Sequence, residues 1–291
     1  MENFISAKKT CMDLEIHEQP VILGKIIEDY ISNEGKILLD LPEDIEKIVL
    51  VASGSSYHCA RFGADLFGKV ADISARAIYS SEYLLKPKAP ADNGTLYVFI
   101  TQSGETSDTL RAAKRAKQLG MRIACVTNNE KSSMSELADY TMNCFAGIEK
   151  SIAATKSFTA QMLCVYIMAL KYAQIRNIDI TDNVENLRTL PYVVLQTFDM
   201  NKKINQLAGM LKKEKNFIIT ADGISYAMAK EAALKIQETS YLNVTAIILG
   251  EFMHGHVAVL NNKMPLIYVS ASGVSEKEKE FINYARNHHI N

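Results

Sequence analysis

Two short segments of the chain combine glycine with hydroxyl side chains directly after an apolar stretch. Residues 53–56 read Ser-Gly-Ser-Ser, and residues 101–106 read Thr-Gln-Ser-Gly-Glu-Thr. Backbone N–H groups at a helix N-terminus, with small hydroxyls beside them, favour a phosphate dianion without requiring lysine. For either segment alone, helix capping by Ser or Thr and a turn at Gly explain the pattern equally well. Because two such segments occur in one predicted domain, the sequence favours a phosphate site.

A third segment carries charges at helical spacing. Glu231, Lys235 and Glu238 are four and then three residues apart, which places them on one face of a helix. A carboxylate beside a cation, followed along the chain by His254, could move protons near neutral pH. The alternative is a solvated ion pair worth a few tenths of a kcal/mol. The residues alone leave both interpretations open.

Other site types are disfavoured. Residues 63–69 match the glycine spacing of a nucleotide P-loop, but Val70 stands where Ser or Thr is needed, and the segment lies in a predicted helix. We find no dinucleotide-binding glycine pattern after a predicted strand. Segment 250–256 offers glutamate and histidine without a third strong ligand, so no metal is expected.

Alternating elements surround these segments. Strands are predicted at 48–52, 75–79, 96–100, 122–127 and 140–143, with helices at about 56–70, 106–119 and 132–138. A helical pattern at 21–39 precedes them, and a helical block at 156–175 and 183–213, broken at Pro191, follows. Strands at 216–220, 245–249 and 265–270 and a long helix ending near Tyr241 complete the pattern. Short apolar strands separated by amphipathic helices predict βαβ units around buried parallel sheets.

The chain also contains an internal repeat. The strand–turn–helix pattern around Gly54 recurs around Gly223, and that around Gly104 recurs around Gly273, in both cases 169 residues later. Two motifs that share one offset predict a duplication. The same offset places the counterpart of position 122 at position 291, so the second copy is expected to be incomplete at its C-terminus. The predicted organisation is an N-terminal arm at 1–20, a first subdomain at 21–180 and a second at 181–291.

Composition and charge argue against several classes of protein. The 291 residues carry 32 Lys and Arg against 33 Asp and Glu, which argues against a nucleic-acid binder driven by a basic field. The longest apolar stretch, 162–170, is less than half of a membrane span, and the N-terminus lacks signal-peptide features. Five widely spaced cysteines show neither zinc-ligand spacing nor a disulfide framework. We therefore expect a cytoplasmic protein with no nucleic-acid or membrane partner.

Five ordered motifs resemble a known family. They lie at 54–57, 102–106, 154–158, 231–235 and 250–255, and the likeness spans about residues 13–290. Together they resemble the sugar isomerase (SIS) domain family, and within it the isomerase half of the glucosamine-6-phosphate synthases. The resemblance implies an α/β fold of two tandem SIS subdomains, each a parallel five-stranded sheet flanked by helices. It also implies a homodimer with active sites at the subunit interface and no cofactor.

The resemblance also implies roles for individual residues. Glu238 would move a proton between C1 and C2 of the sugar, Lys235 would stabilise the enediol-like charge, and His254 would help to open the ring, reaching in from the other subunit in one arrangement. The implied substrate- and phosphate-binding residues are Gly54, Ser55, Ser56, Thr101, Gln102, Ser103, Thr106 and Ala154.

Three departures bear on the reaction. Since the sequence begins Met-Glu-Asn, we expect the glutaminase half and its N-terminal cysteine to be missing. Ala154 stands where the synthases have serine. The gap in the second repeat leads us to expect no counterpart of the C-terminal tail that carries a Schiff-base lysine. We expect an aldose–ketose isomerase, or an aminosugar-phosphate isomerase or deaminase, acting on glucosamine 6-phosphate or fructose 6-phosphate. The alternatives are a fructosamine-phosphate deglycase and a non-catalytic sugar-phosphate sensor.

Overall fold

The computed structural model describes residues 10–86, 92–252, 254–259, 264–271, 273 and 276–287. The helices are α1 Cys11–Tyr30, α2 Ser55–Ala71, α3 Ser80–Leu85, α4 Ser107–Gln118, α5 Ser133–Leu137, α6 Lys156–Ile175, α7 Thr181–Thr197, α8 Asn201–Leu211, α9 Ser225–Ser240, α10 Leu249–Phe252 and α11 Glu276–Asn287. The strands are β1 Lys47–Ala52, β2 Ser74–Tyr79, β3 Thr95–Thr101, β4 Arg122–Thr127, β5 Tyr140–Asn143, β6 Asn216–Ala221, β7 Asn243–Ile248 and β8 Leu266–Tyr268. Residues 1–9 of the predicted arm, Met253 of the motif at 250–255, and parts of the repeat around Gly273 lie outside the described residues.

The first sheet is parallel, with strand order β2-β1-β3-β4-β5. Its central strands are buried on both faces because their side chains are apolar in unbroken runs. Leu50 of β1 faces a core shared with α1, α2 and α6, whereas its neighbour Val51 faces a second core shared with α3, α4 and α5. The loops after β1 and β3 therefore emerge side by side at one edge of the sheet, where α/β proteins bind ligands.

The second sheet repeats the first. Within the described residues it has three parallel strands in the order β7-β6-β8, which matches β2-β1-β3. The bounds of β6 and β7 fall 169 residues after those of β1 and β2, and α11 falls 169 residues after α4. Gly54 and Gly223 both have positive φ, at 58° and 54°. The predicted duplication and the α/β fold class are confirmed; counterparts of β4 and β5 are absent from the described part of the second sheet.

The first helix begins earlier than predicted. The sequence pattern placed it at 21–39, but α1 begins at Cys11 and ends at Tyr30. Thr10 is its N-cap, with a hydroxyl that accepts a hydrogen bond from the Asp13 amide at 3.1 Å. Residues 11–20, which the sequence analysis assigned to an arm, thus form the first half of a helix.

The break predicted at Pro191 is also wrong. α7 continues through Pro191 and ends at Thr197. A proline inside a helix removes one hydrogen bond and costs about 3 kcal/mol. α1 packs against α7, and a side chain at Gly24 would come within 3.9 Å of the Pro191 ring. This packing offsets the cost, so tertiary contacts override the local signal.

Candidate active site

A polar cleft lies at the carboxyl edge of the first sheet. It encloses about 290 Å³, and serine hydroxyls, two glutamine amides and two carboxylates dominate its lining. Among the described residues that line it, Lys235 carries the one positive charge. The lining residues are Ser53, Ser55, Ser56, Gln102, Glu149, Ser151, Ile152, Ala154, Ser157, Phe158, Gln161, Lys235 and Glu238.

The loop between β1 and α2 forms one wall. Gly54, at a φ of 58°, lets the chain turn from the strand directly into the helix, so α2 begins at Ser55. The Ser55 hydroxyl accepts a hydrogen bond from Lys235 Nζ at 3.0 Å, and the Ser56 hydroxyl donates to Gln161 Oε1 at 2.9 Å. In this described loop no side chain of the N-cap residue bonds to the first N–H groups of the helix, which suits an anion site.

The loop between β3 and α4 stands beside it. Of the four predicted phosphate-binding residues here, Gln102 lines the cleft, whereas Thr101, Ser103 and Thr106 are not among its lining residues. The Thr101 and Thr106 hydroxyls lie 3.0 Å apart and hydrogen-bond to each other. The Ser103 hydroxyl accepts from the Glu105 amide at 3.1 Å, which shapes the loop. Hydroxyls and amides of two neighbouring loops therefore meet at one end of the sheet.

Gly104 fixes the shape of that second loop. Its φ of 72° is unfavourable for side-chain-bearing residues, and a Cβ atom there would overlap the side chain of Ser132. Only glycine therefore allows the loop to approach the segment that precedes α5.

Helix α9 supplies the charged residues. Lys235 Nζ lies 2.7 Å from Glu238 and 3.3 Å from Glu231, which confirms that the three side chains share one face. The far oxygen of Glu231 lies 2.7 Å from Nδ1 of His58 on α2. The side chains of His58 and Glu231 are only 9% and 7% exposed. The Glu231–Lys235 ion pair considered from sequence is present, but its carboxylate is buried and joins α2 to α9, whereas the side chain of Glu238 is 30% exposed.

Glu231 is ionised at neutral pH. Burial by itself raises the pKa of this carboxyl, but the hydrogen bond from His58, the charge of Lys235 and a hydrogen bond from Ser55 outweigh it, so the pKa falls below its usual 4.5. The carboxylate is shared between the imidazole and the ammonium group. This sharing holds Lys235 at the cleft, with its ammonium group also in contact with Ser55 and Glu238.

The segment between β5 and α6 closes the cleft on the side of α6. The Glu149 carboxylate accepts hydrogen bonds from the amides of Thr155 at 2.8 Å and Ser157 at 3.3 Å, and so caps the first turn of α6. Ala154 lines the cleft at the position noted from sequence. Ile152, 98% exposed, stands at the rim.

His254 lies apart from this cleft. It occupies an exposed turn after α10, where its amide donates to the Glu251 carbonyl at 3.1 Å, and it is not among the lining residues. The structure of one chain therefore brings together Lys235 and Glu238, but not His254.

Sequence reasoning missed several cleft residues and one neighbour. His58 lies three residues after Ser55 and Gln161 four residues after Ser157, so helical spacing from an identified motif could have found both. The missed residues are His58, Glu149, Ser151 and Gln161, whereas Ser53 and Ser157 lie in the identified segments 53–56 and 154–158 but were given no role of their own.

Within the described residues, His, Cys, Asp and Glu side chains nowhere gather in a group of three or more that could hold a metal ion. No helix in that part of the chain combines the length and hydropathy needed to cross a bilayer.

The chain is similar to known enzymes. It is 36% identical over 282 residues to a glutamine–fructose-6-phosphate aminotransferase (isomerizing) of Nostoc sp. and 34% identical over 269 residues to that of Gloeobacter violaceus. Each alignment covers 89% of this chain but only 45% and 44% of the relative, so the chain spans less than half the length of these relatives.

Solved structures share the fold of this chain, and a family model matches its sequence. The C-terminal domain of glucosamine-fructose-6-phosphate aminotransferase from Francisella tularensis superposes with a TM-score of 0.89 at 28% identity, over 98% of this chain and 82% of that one. Glucosamine-6-phosphate deaminase from Thermotoga maritima shares the fold, with a TM-score of 0.78 at 23% identity over 97% and 83% of the two chains. The SIS domain model matches residues 43–171 and 210–291. The chain belongs to the SIS domain family.

Proposed function

We propose that the chain is a phosphosugar isomerase that binds glucosamine 6-phosphate or fructose 6-phosphate in the polar cleft. The observation that carries the proposal is the 2.7 Å pair of Lys235 and Glu238 beside the N-terminus of α2. An anion site next to a carboxylate base and a cation suits proton transfer on a phosphorylated sugar. The relatives' names include both sugar phosphates and the isomerising reaction.

In this proposal the two loops hold the phosphate and α9 performs the chemistry. The N–H groups of α2 and the side chains of Gln102, Ser55 and Ser56 bind the substrate. Glu238 takes a proton from one carbon of the ring-opened sugar and returns it to the neighbouring carbon. Lys235 stabilises the negative charge that develops on the oxygen between these steps.

We also propose that the protein works as a cytoplasmic homodimer in which His254 of one chain serves the cleft of the other. The exposure of His254 and its position off the cleft support this arrangement, and the five free thiols suit a reducing compartment.

The shared site is tested by complementation between two inactive variants, Glu238→Gln and His254→Asn. Random pairing places one intact site in each mixed dimer and recovers on the order of a quarter of the activity. Failure to recover activity in verified mixed dimers would refute the shared site.

The function itself is tested by assaying ammonia and fructose 6-phosphate formation from glucosamine 6-phosphate, alongside interconversion of fructose and glucose 6-phosphates. Ammonia with the ketose would identify a deaminase, and interconversion alone would identify a bare isomerase. Binding of either sugar phosphate without turnover would favour the sensor. A protein that neither binds nor converts these compounds would contradict the proposal.

A further inference from the structure

The two halves of α1 are held to the protein in different ways. The second half is anchored in the first core by Ile22, Leu23, Ile26 and Ile27. In the first half, Glu15 is the one buried residue of the helix. Because the second half of α1 packs in the core and the first half buries a carboxylate, the first half has a role other than core packing.

Pro20 separates these halves. Proline has no N–H group, so it leaves the carbonyl of Ile16 without its usual helical partner. The side-chain amide of Gln19 donates to that carbonyl at 2.9 Å and replaces the missing bond. The helix therefore continues through Pro20, and the orientation of the first half depends on side-chain contacts.

Glu15 makes the central contact. Its carboxylate accepts hydrogen bonds from the backbone amides of Lys150 and Ser151, in the segment between β5 and α6. Glu15 is only 4% exposed. Burial raises the pKa of Glu15, but the hydrogen bonds from Ser151 and Lys150 outweigh it and lower the pKa, so the group is ionised at neutral pH. A buried carboxylate bonded to two amides fixes the path of the chain that carries them.

Two further contacts lie on the same face of α1. Glu18 pairs with Lys156 Nζ at 2.6 Å, and Lys156 is itself only 4% exposed. Gln19 accepts a hydrogen bond from the Thr159 hydroxyl at 2.5 Å. The spacing of Glu15, Glu18 and Gln19 puts all three on one helix face. Their partners bracket residues 151–154, which form part of the cleft wall.

We infer that Glu15 is a positioning residue: by holding the amides of Lys150 and Ser151, it sets the cleft wall against which a sugar phosphate binds. Glu15 does not itself line the cleft, so it acts through Ser151 and its neighbours. The inference rests on the proposed function for the identity of the ligand. Whether Glu15 fixes the amides of Lys150 and Ser151 does not depend on the ligand, so this part of the inference can be measured separately from binding.

The test compares Glu15→Gln with Glu28→Gln, an exposed glutamate on the same helix, in the full chain. Glu15→Gln should weaken binding of fructose 6-phosphate about tenfold, since it replaces charge-assisted bonds to two amides. KM should rise by a similar factor while kcat changes less than about twofold, because the wall contacts the bound sugar and not the reacting proton. Hydrogen exchange of residues 144–155 should accelerate in Glu15→Gln and remain unchanged in Glu28→Gln.

The outcomes separate the inference from the proposed function. Wild-type affinity and wild-type exchange in Glu15→Gln would overturn the inference, as would a fall in kcat and melting temperature with KM unchanged. If the wild-type protein binds no sugar phosphate, the proposed function and the ligand assigned here are both overturned, and the exchange data alone then decide whether Glu15 holds the wall. Should Glu15→Gln fold poorly, Glu18→Gln provides the second variant, with the same direction expected for KM and for exchange.

Discussion

The two repeats have the same backbone turn after their first strand but different side chains in it. Residues 53–56 and 222–225 both connect a first strand to a helix, with their glycines at φ values of 58° and 54°. The first loop reads Ser-Gly-Ser-Ser and lines the cleft, whereas the second reads Asp-Gly-Ile-Ser. Its last serine accepts a hydrogen bond from the Ala271 amide at 3.0 Å, which braces the loop. The two repeats therefore share the turn but differ in the side chains that it presents.

The helices that follow these loops differ in the same way. α2 offers its N-terminus and first hydroxyls to the cleft, whereas α9 offers Lys235 and Glu238 from its later turns. One copy of the helix is suited to binding and the other to chemistry. Substitutions should therefore separate binding from turnover according to the repeat in which they lie.

The largest effect should come from α9. Glu238→Gln removes the proposed base and should lower kcat by about 10²- to 10⁴-fold, while the dissociation constant for fructose 6-phosphate changes little. Turnover and binding assays on the same preparation measure both quantities. Glu185→Gln, an exposed glutamate on α7, is the matched control. Unchanged kcat in Glu238→Gln would remove this residue from the chemistry.

Giving the loop at 53–56 the side chains of the loop at 222–225 should strongly weaken binding of the sugar phosphate. Ser53→Asp with Ser55→Ile places a carboxylate beside the proposed phosphate and removes the hydroxyl that accepts from Lys235. Affinity for fructose 6-phosphate should fall about 100-fold or more, because like charges disfavour the complex. The reverse change, Asp222→Ser with Ile224→Ser, should leave affinity unchanged, as measured by calorimetry. Equal losses from the two double variants would show that the loops are not functionally distinct.

Much of this arrangement was predictable because its signals are local. Unbroken apolar runs marked the strands, and glycine turns repeated at 169 residues marked the duplication. The shared face of Glu231, Lys235 and Glu238 followed from helical spacing alone. The sequence also pointed to Gln102, Ser55 and Ser56, which line the cleft.

The features that were missed depend on contacts between distant segments. His58 meets Glu231 across 173 residues, and Glu15 meets the Lys150 amide across 135. Neither pairing can be read from the sequence pattern: helical spacing from Ser55 could have pointed to His58, but not to Glu231 as its partner. The sequence pattern placed the start of the first helix at residue 21, just after Pro20, whereas α1 begins at Cys11 and Gln19 replaces the hydrogen bond that the proline removes.

The glycines of the second turn give another contrast between repeats. Gly104 and Gly273 both have positive φ, at 72° and 82°, so alanine is strained at either position. At Gly104 the added Cβ would also overlap Ser132, whereas at Gly273 nothing described lies within 4 Å. Gly104→Ala should therefore cost about 2–4 kcal/mol in the free energy of unfolding and Gly273→Ala about 1 kcal/mol. Urea denaturation of both variants measures the difference, and equal costs would contradict the close approach at Gly104.

The smallest effect concerns the bond that joins the repeats. Glu231→Gln keeps the shape of the side chain but removes the charge facing His58 and Lys235, and should cost about 1–3 kcal/mol in the free energy of unfolding at pH 7. Because folding lowers the pKa of Glu231 below 4.5, its charge stabilises the fold above that pH, and this contribution is lost as pH falls through the lowered value. The difference between wild type and Glu231→Gln, measured by urea denaturation, should thus be largest near neutrality and shrink in acid. The exposed Glu185→Gln should show little difference at any pH. A cost for Glu231→Gln that stays constant from pH 7 into acid would mean that the shape of the side chain, and not its charge, joins α2 to α9.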